Sequence, residues 1–204
     1  MVGLAVIQMA RQLGIKTINI VRSDRPEVGD VLRLLTNLGG DINVPDWYVN
    51  SSSFQEILKE LPPVRLALNS VGGASATDLF RVVAPNGTIV TYGGMSKKPL
   101  TIPLDLIAQK QLSHKGFWIS TWYRNHNNED RQKMTDEVAD MVRNKQLSFF
   151  FELHDLDDFQ YALKKSQEPF QFRKVVLNLN YPDRLAEHDR MDAKEYEVFE
   201  APVV

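Results

Sequence analysis

The stretch that most constrains this fold stands at its beginning. Gly3 opens Leu4-Ala5-Val6-Ile7-Gln8-Met9-Ala10-Arg11-Gln12-Leu13-Gly14, and Lys16-Thr17-Ile18-Asn19-Ile20-Val21-Arg22 follows. Leu4, Ile7, Ala10 and Leu13 recur at helical spacing, set against Gln8 and Gln12, and predict a helix over 3–13. Gly14 falls at the C′ position, where a left-handed residue ends a helix. The β-branched run at 17–21 predicts a strand directly after it. A glycine that opens a helix, which in turn feeds a strand ending in basic and hydroxyl residues, reads as the back half of a dinucleotide-binding unit. Such a unit starts with a strand and a glycine-rich turn. This sequence starts inside the turn, so a chain without that first strand is the expectation.

The rest of the chain keeps to the same grammar. Pro26 breaks it, a helix is predicted over 28–38 and closed by Gly39-Gly40, and a short strand over 41–44 follows. Phe54, Ile57, Leu58 and Leu61 mark a third helix, ended by Pro62-Pro63. Arg65 to Val71 reads as a buried strand that runs into Gly72-Gly73. A helix through Ala76, Leu79, Phe80 and Val83 comes next, then the turn Pro85-Asn86-Gly87. The strand Thr88–Tyr92 ends in Gly93-Gly94-Met95. Strand, glycine pair, helix, turn, strand, glycine pair is α/β patterning, with loops at the carboxyl ends of the strands. Further elements are a helical turn or two over 104–110, a strand over 115–120, and an amphipathic helix over 128–145 with Met134, Val138, Met141 and Val142 on its apolar face. A strand over 149–153, a helix marked by Leu156, Phe159, Ala162 and Leu163, and a strand over 173–179 complete the pattern.

Charge and composition remove several classes of function. A net charge of -2 does not support a polyanion-binding surface, and no apolar run reaches the length of a bilayer span, so neither nucleic acid nor membrane is an expected partner. The absence of cysteine excludes disulfides and thiolate metal sites. The histidines at 114, 126, 154 and 188 lack ligand spacing, so no metal site is expected. The N-terminus lacks the basic region of a signal peptide. After Pro182 acidic residues outnumber basic ones, and a mobile acidic tail outside the core is expected over 181–204.

Three places carry ligand chemistry on their residues alone. Gly3, beside Val2, would let backbone approach a pyrophosphate at the start of the first helix, or would simply be an N-cap glycine. Arg22, Ser23 and Arg25 follow the second strand, where NAD-specific sites place an acidic residue for the ribose hydroxyls. Guanidinium groups there would accept a 2′-phosphate, although Asp24 lies among them and a solvated charged loop is the plain alternative. Tyr92, Gly93, Gly94 and Met95 stand at a strand's carboxyl end, where open α/β sheets bind ligands, while a strand tyrosine is commonly core. Phe117, Trp118 and Ile119 look like core or subunit-interface residues by periodicity, and Lys174 like a solvated charge.

Four motifs in order give the chain a family resemblance. They are Gly3-x-Ala5-Val6-Ile7-Gln8 into Thr17-Ile18-Asn19-x-Val21-Arg22, Arg65-Leu66-Ala67-Leu68-Asn69-x-Val71-Gly72-Gly73, Val90-Thr91-Tyr92-Gly93-Gly94-Met95, and Gly116-Phe117-Trp118. From Val2 to about Leu177 the chain resembles the mitochondrial 2-enoyl thioester reductases of the medium-chain dehydrogenase/reductase superfamily, the enoyl-CoA or enoyl-acyl-carrier-protein reductases. The resemblance implies an α/β fold with a Rossmann-like, doubly wound parallel sheet whose first strand is missing. It also implies a C-terminal segment that returns to a GroES-like domain. The division that follows is 1–145 for the NADP-binding domain, 146–180 for the returning helix and strands, and 181–204 for the tail.

The resemblance further implies NADPH as cofactor, an enoyl-CoA or acyl-carrier-protein thioester as substrate, a homodimer, and a mitochondrial location. In such enzymes Gly93 and Gly94 lie along the nicotinamide ribose with Met95 against it, the stretch Phe117-Trp118-Ile119 passes near the nicotinamide, and Lys174 reaches the cofactor from the C-terminal segment. The catalytic tyrosine of the family belongs to the N-terminal domain, so no catalytic residue is expected here, and cofactor binding is the expected contribution. Met1 stands in place of the first glycine of the turn, and the acidic tail is a second departure from the pattern. Competing expectations are a quinone-reductase-like enzyme of the same superfamily, and a non-catalytic truncated isoform that acts as a dimerisation or binding module.

Overall fold

A computed structural model describes residues 1–170 and 173–179, so the expected acidic tail lies outside the described residues. In chain order the elements are α1 (Val2–Gln12), β1 (Ile18–Val21), α2 (Val28–Asn37), β2 (Ile42–Pro45), a 3-10 turn over Asp46–Asn50, and α3 (Ser52–Glu60). Next come β3 (Leu66–Asn69), α4 (Gly73–Val82), β4 (Thr88–Thr91), α5 (Leu104–Lys110), β5 (Ser113–Gly116), α6 (Ile119–Asn125) and α7 (Asn128–Arg143). After α7 come β6 (Phe151–Asp155), a 3-10 turn over Leu156–Asp158, α8 (Phe159–Ser166) and β7 (Lys174–Asn178). Two compact units divide the chain, one of residues 1–18, 29–42 and 138 onward, the other of 19–28 and 43–137.

In the first unit the glycine signals hold in detail. The Gly14 amide bonds the Arg11 carbonyl and the Ile15 amide that of Ala10 at 2.8 Å, with Gly14 at φ +66. This is a Schellman ending, which closes the last carbonyls of α1. Gly39, at φ +96, repeats it for α2 through bonds from Gly39 to Thr36 and from Gly40 to Leu35. Ile7 and Ala10 of α1, Val31 and Leu35 of α2, Leu38 and Leu147 are the buried apolar residues here, with Ala162 of α8.

Gln8 departs from the expected polar face. It is buried, donates to the Ser148 carbonyl at 3.0 Å, and accepts from the Ser148 amide at 2.8 Å. A side-chain amide carries both a donor and an acceptor, so one residue satisfies both backbone groups of another. Gln12 donates to the nearby Gln146 carbonyl. The strands β6 and β7 pair in parallel, with Phe151 opposite Lys174 and Asp155 opposite Asn178.

The second unit holds the sheet that matters for ligands. Parallel β3, β4 and β5 form one ladder with Leu66 opposite Thr88 and Thr88 opposite Ser113, while β1 and β2 form another. Beneath the three-stranded ladder Ala67, Phe80, Val83, Ile89 and Leu112 form the core, with Leu79, Leu106 and Ile107 against it.

Two expectations are corrected here. The run 65–71 is not a buried strand: Leu66 is 55% and Leu68 40% exposed, alternating with buried Ala67 and Asn69. Successive side chains point to opposite faces of a strand, so the face with Ala67 packs on the core while the face with Leu66 and Leu68 is left largely uncovered by the described residues. Residues 115–120 are not one strand either, since β5 ends at Gly116 and Ile119 begins α6, with Trp118 as its N-cap. Phe117, Trp118 and Ile119 are all exposed, so they are not core.

Helix ends are closed by side chains as well as by glycine. The Ser51 hydroxyl accepts from the Phe54 amide at 3.1 Å and caps α3. Lys110 donates from Nζ to the carbonyls of Phe80, Arg81 and Val83 at 3.2, 2.7 and 2.9 Å, and burial lowers its pKa. It serves the otherwise unmet carbonyls at the end of α4 and beyond. Lys110→Met keeps the aliphatic stem and removes the donor. Urea unfolding should then show a loss of about 1–2 kcal/mol, the cost of leaving such acceptors short.

Asp41 gives a pH signature. Its carboxylate accepts from Lys16 Nζ at 2.8 Å and the Thr17 amide at 2.9 Å, and these two bonds hold its pKa below the ordinary value. A carboxyl depressed in the folded state stabilises above its unfolded pKa of about 4, and that contribution is lost as pH falls through the folded value. Comparing melting temperatures of the unaltered chain and Asp41→Asn should show the unaltered chain ahead at pH 6. The two should converge below about pH 3. The difference should be under about 1 kcal/mol, because the pair is solvent-screened.

Candidate functional site

The carboxyl ends of β3 and β4 are locked to each other. Past the strands, the Tyr92, Met95 and Ser96 amides each donate at 2.9 Å, to the carbonyls of Asn69, Ser70 and Val71. Asn69 organises this end. It is 3% exposed, accepts at Oδ1 from the Val71 and Gly72 amides at 3.0 and 3.1 Å, and donates from Nδ2 to Thr91 Oγ1 at 3.1 Å. Thr91 Oγ1 in turn lies 2.9 Å from His114 Nε2, so one polar line crosses all three strands. The Ser96 hydroxyl donates to the Val71 carbonyl at 2.7 Å and accepts from the Lys98 amide at 3.2 Å.

Gly72 shows why a glycine is needed in this turn. Its φ of 80 and ψ of -171 lie in a region that only glycine occupies readily, and a Cβ there would stand 2.9 Å from the Lys98 carbonyl oxygen. Tyr92 and Gly93 are half-buried beside it, whereas Gly94 has open space where a Cβ would stand and Met95 is 82% exposed. The sheet thus presents bare backbone at the end of β4, where a ligand can approach closely.

At the end of β1, Arg22 Nε lies 3.2 Å from Asp24 Oδ1, both groups exposed. Ser23 turns inward. Its amide and its hydroxyl both donate to Asp46 Oδ1, at 3.1 and 2.6 Å, and the Trp47 amide reaches the same oxygen at 2.9 Å. Arg25 is half-buried in the same loop. Asp46 carries no signal in the sequence, because its role depends on bringing the loops after β1 and β2 together.

In the first unit, Met1 is the N-cap of α1, without a side-chain bond. Gly3 is therefore inside the helix and not its cap, and nothing lies within 4 Å of where a Cβ would be. Lys174 opens β7, its amide donating to the Phe150 carbonyl at 2.9 Å. Burial, and then the charge of Lys174, lower the Met1 amine pKa, so Lys174 acts electrostatically on the start of α1. A helix N-terminus with a lysine in reach suits an anion. Elsewhere, the Phe117 amide donates to the Thr91 carbonyl at 2.9 Å, which fixes the chain at the end of β5.

Residues 2–140 match the model of the zinc-binding dehydrogenase family. The chain belongs to that family. It is 45% identical over 179 residues to a mitochondrial enoyl-[acyl-carrier-protein] reductase of Dictyostelium discoideum, a match that covers 88% of this chain and 51% of the relative. A solved complex of Etr1p with NADP and crotonyl-CoA superposes with a TM-score of 0.70 at 29% identity, over 81% of this chain and 49% of that one. The mitochondrial 2-enoyl thioester reductase Etr1p/Etr2p heterodimer of Candida tropicalis superposes with a TM-score of 0.71 at 29% identity, over 85% of this chain and 50% of that one. The chain therefore spans about half the length of these relatives.

These neighbours share an α/β fold with a Rossmann-like nucleotide-binding domain, in keeping with the parallel ladders of this chain. The family's name implies zinc. No group of three or more histidine, aspartate or glutamate side chains that could hold a metal occurs among the described residues, and the chain has no cysteine. Its described residues do not fit that ion. No helix among the described residues is long and apolar enough to cross a membrane.

Gly72→Ala tests the locked turn. Forcing a Cβ against the Lys98 carbonyl in this backbone conformation should cost about 2–3 kcal/mol in a denaturant titration. Gly94→Ala, with open space around it, should cost less than about 1 kcal/mol.

Proposed function

We propose that this chain is the nucleotide-binding portion of an NADPH-dependent 2-enoyl thioester reductase of mitochondrial fatty-acid synthesis. The observation that carries the reading is the 45% identity to an enoyl-[acyl-carrier-protein] reductase across 179 residues, which sets it ahead of a quinone-reductase activity. Residues 1–145 are the cofactor half and 146–180 the return toward a catalytic domain. NADPH bound here supplies the hydride for the β-carbon of a trans-2-enoyl-CoA or enoyl-acyl-carrier-protein thioester.

In this reading the chain's own residues take the roles that the family resemblance implies. Val2 and Gly3 leave the start of α1 open to the pyrophosphate, with Lys174 adding a positive charge. Arg22 and Arg25 meet the 2′-phosphate at the end of β1, and Ser23 belongs to the same loop. Tyr92, Gly93, Gly94 and Met95 hold the nicotinamide ribose against bare backbone, and the chain at Phe117, Trp118 and Ile119 bonds the carboxamide. The exposed apolar surface of Phe117, Trp118 and Ile119 also suits burial between two copies of the chain, in a homodimer.

Calorimetric titration of the chain with NADPH and NADH tests this reading. NADPH should bind more tightly, and Arg22→Ala should weaken it about tenfold, the loss of one charge-assisted contact, while NADH changes little. Equal loss for both nucleotides would overturn the role of Arg22. Failure of both to bind would favour a non-catalytic binding or dimerisation module.

A further inference from the structure

We infer that Asp46 is a positioning residue that restrains the preference for a 2′-phosphate over a 2′-hydroxyl at the end of β1. The inference rests on the nucleotide reading above and adds a residue that opposes it. A serine hydroxyl has one proton and two lone pairs. In this chain the proton of Ser23 is given to Asp46 Oδ1 at 2.6 Å, the length of a bond to a charged acceptor, and the Ser23 amide goes to the same oxygen. Held this way, Ser23 offers a ligand only lone pairs. A phosphate needs donors and gains nothing from them, whereas a ribose hydroxyl can donate.

Charge acts in the same direction. Arg22 already faces Asp24 at 3.2 Å, and Asp46 places a second carboxylate beside the loop that carries Arg22 and Arg25. Two acids thus stand among two arginines where a 2′-phosphate would bring further negative charge. Asp46 Oδ1 takes all three bonds given to this carboxylate, from Ser23 twice and from the Trp47 amide, and Oδ2 has no hydrogen bond to the described residues.

Asp46→Asn separates the two contributions from mere loop support. The amide keeps an oxygen for the Ser23 and Trp47 amides, loses the charge, and loosens its hold on the Ser23 proton. Titrated side by side, the variant should bind NADPH about fivefold to tenfold more tightly than the unaltered chain, with NADH within about twofold, because one donor to a charged group is gained. On that background Ser23→Ala should remove about half of the gain on the energy scale, giving a coupling between positions 23 and 46 seen with NADPH and not with NADH.

Asp46→Ser, which keeps an oxygen for the Trp47 amide, gives the same comparison if the asparagine variant melts early. Equal changes for both nucleotides, weaker NADPH binding, or strict additivity would each overturn the inference and leave the nucleotide site standing. If neither nucleotide, nor 2′,5′-ADP as an adenosine-side probe, binds the unaltered chain or the variants, the site itself fails and the inference with it.

Discussion

The buried side chain of Asn69 holds the working end of the sheet. Its oxygen satisfies two successive amides of the turn after β3, and its nitrogen reaches across to Thr91 on β4. A buried amide of this kind must have its bonds met or it is a liability, so the strand end and the turn are determined together. Once the turn is fixed, Gly72 has only one backbone conformation open to it, Ser96 finds the Val71 carbonyl, and the glycine pair after β4 is presented as bare main chain. A hydrophobic side chain at position 69 would supply neither this acceptor nor this donor. It would leave the Val71 and Gly72 amides without acceptors.

Much of this was legible in the sequence because it depends on local chemistry. Gly14 and Gly39 end their helices as glycines at that position do, and the 3.6-residue period placed α1, α2 and α3 to within a residue or two. The alternation of strand and glycine pair located the carboxyl ends of β3 and β4. What stayed hidden depends on neighbours. Gln8 reads as surface from its polarity, and only the approach of Ser148 gives it two partners and a reason to be buried. Leu66 and Leu68 read as core because strands of parallel sheets are usually covered on both faces. The helix over Ile119–Asn125 is hidden in the sequence because Trp118-Ile119 has the composition of a strand.

The candidate site divides along the same line. Its glycines and arginines announce themselves by residue type and spacing, while Asp46, Thr91 and His114 matter only through what they touch. The loop after β1 carries the clearest case. A sequence reading counts Arg22, Ser23 and Arg25 as donors. The structure shows that two of the nearby carboxylates already hold part of that capacity.

The ladders also bear on how the chain reaches this structure. Leu66 pairs with Thr88, Thr88 with Ser113, and Phe151 with Lys174, so each described parallel pair joins strands of similar and modest separation. Loop-closure entropy grows only with the logarithm of length, so these pairings cost nearly the same and none must wait for another. The clamp of Gln8 on Ser148 spans 140 residues. On the same scale its closure costs about 1.5 kcal/mol more than a single strand crossover. In kinetic terms the sheet around Asn69 is a local assembly, and the first helix is held to the chain's later half by a contact of much higher order.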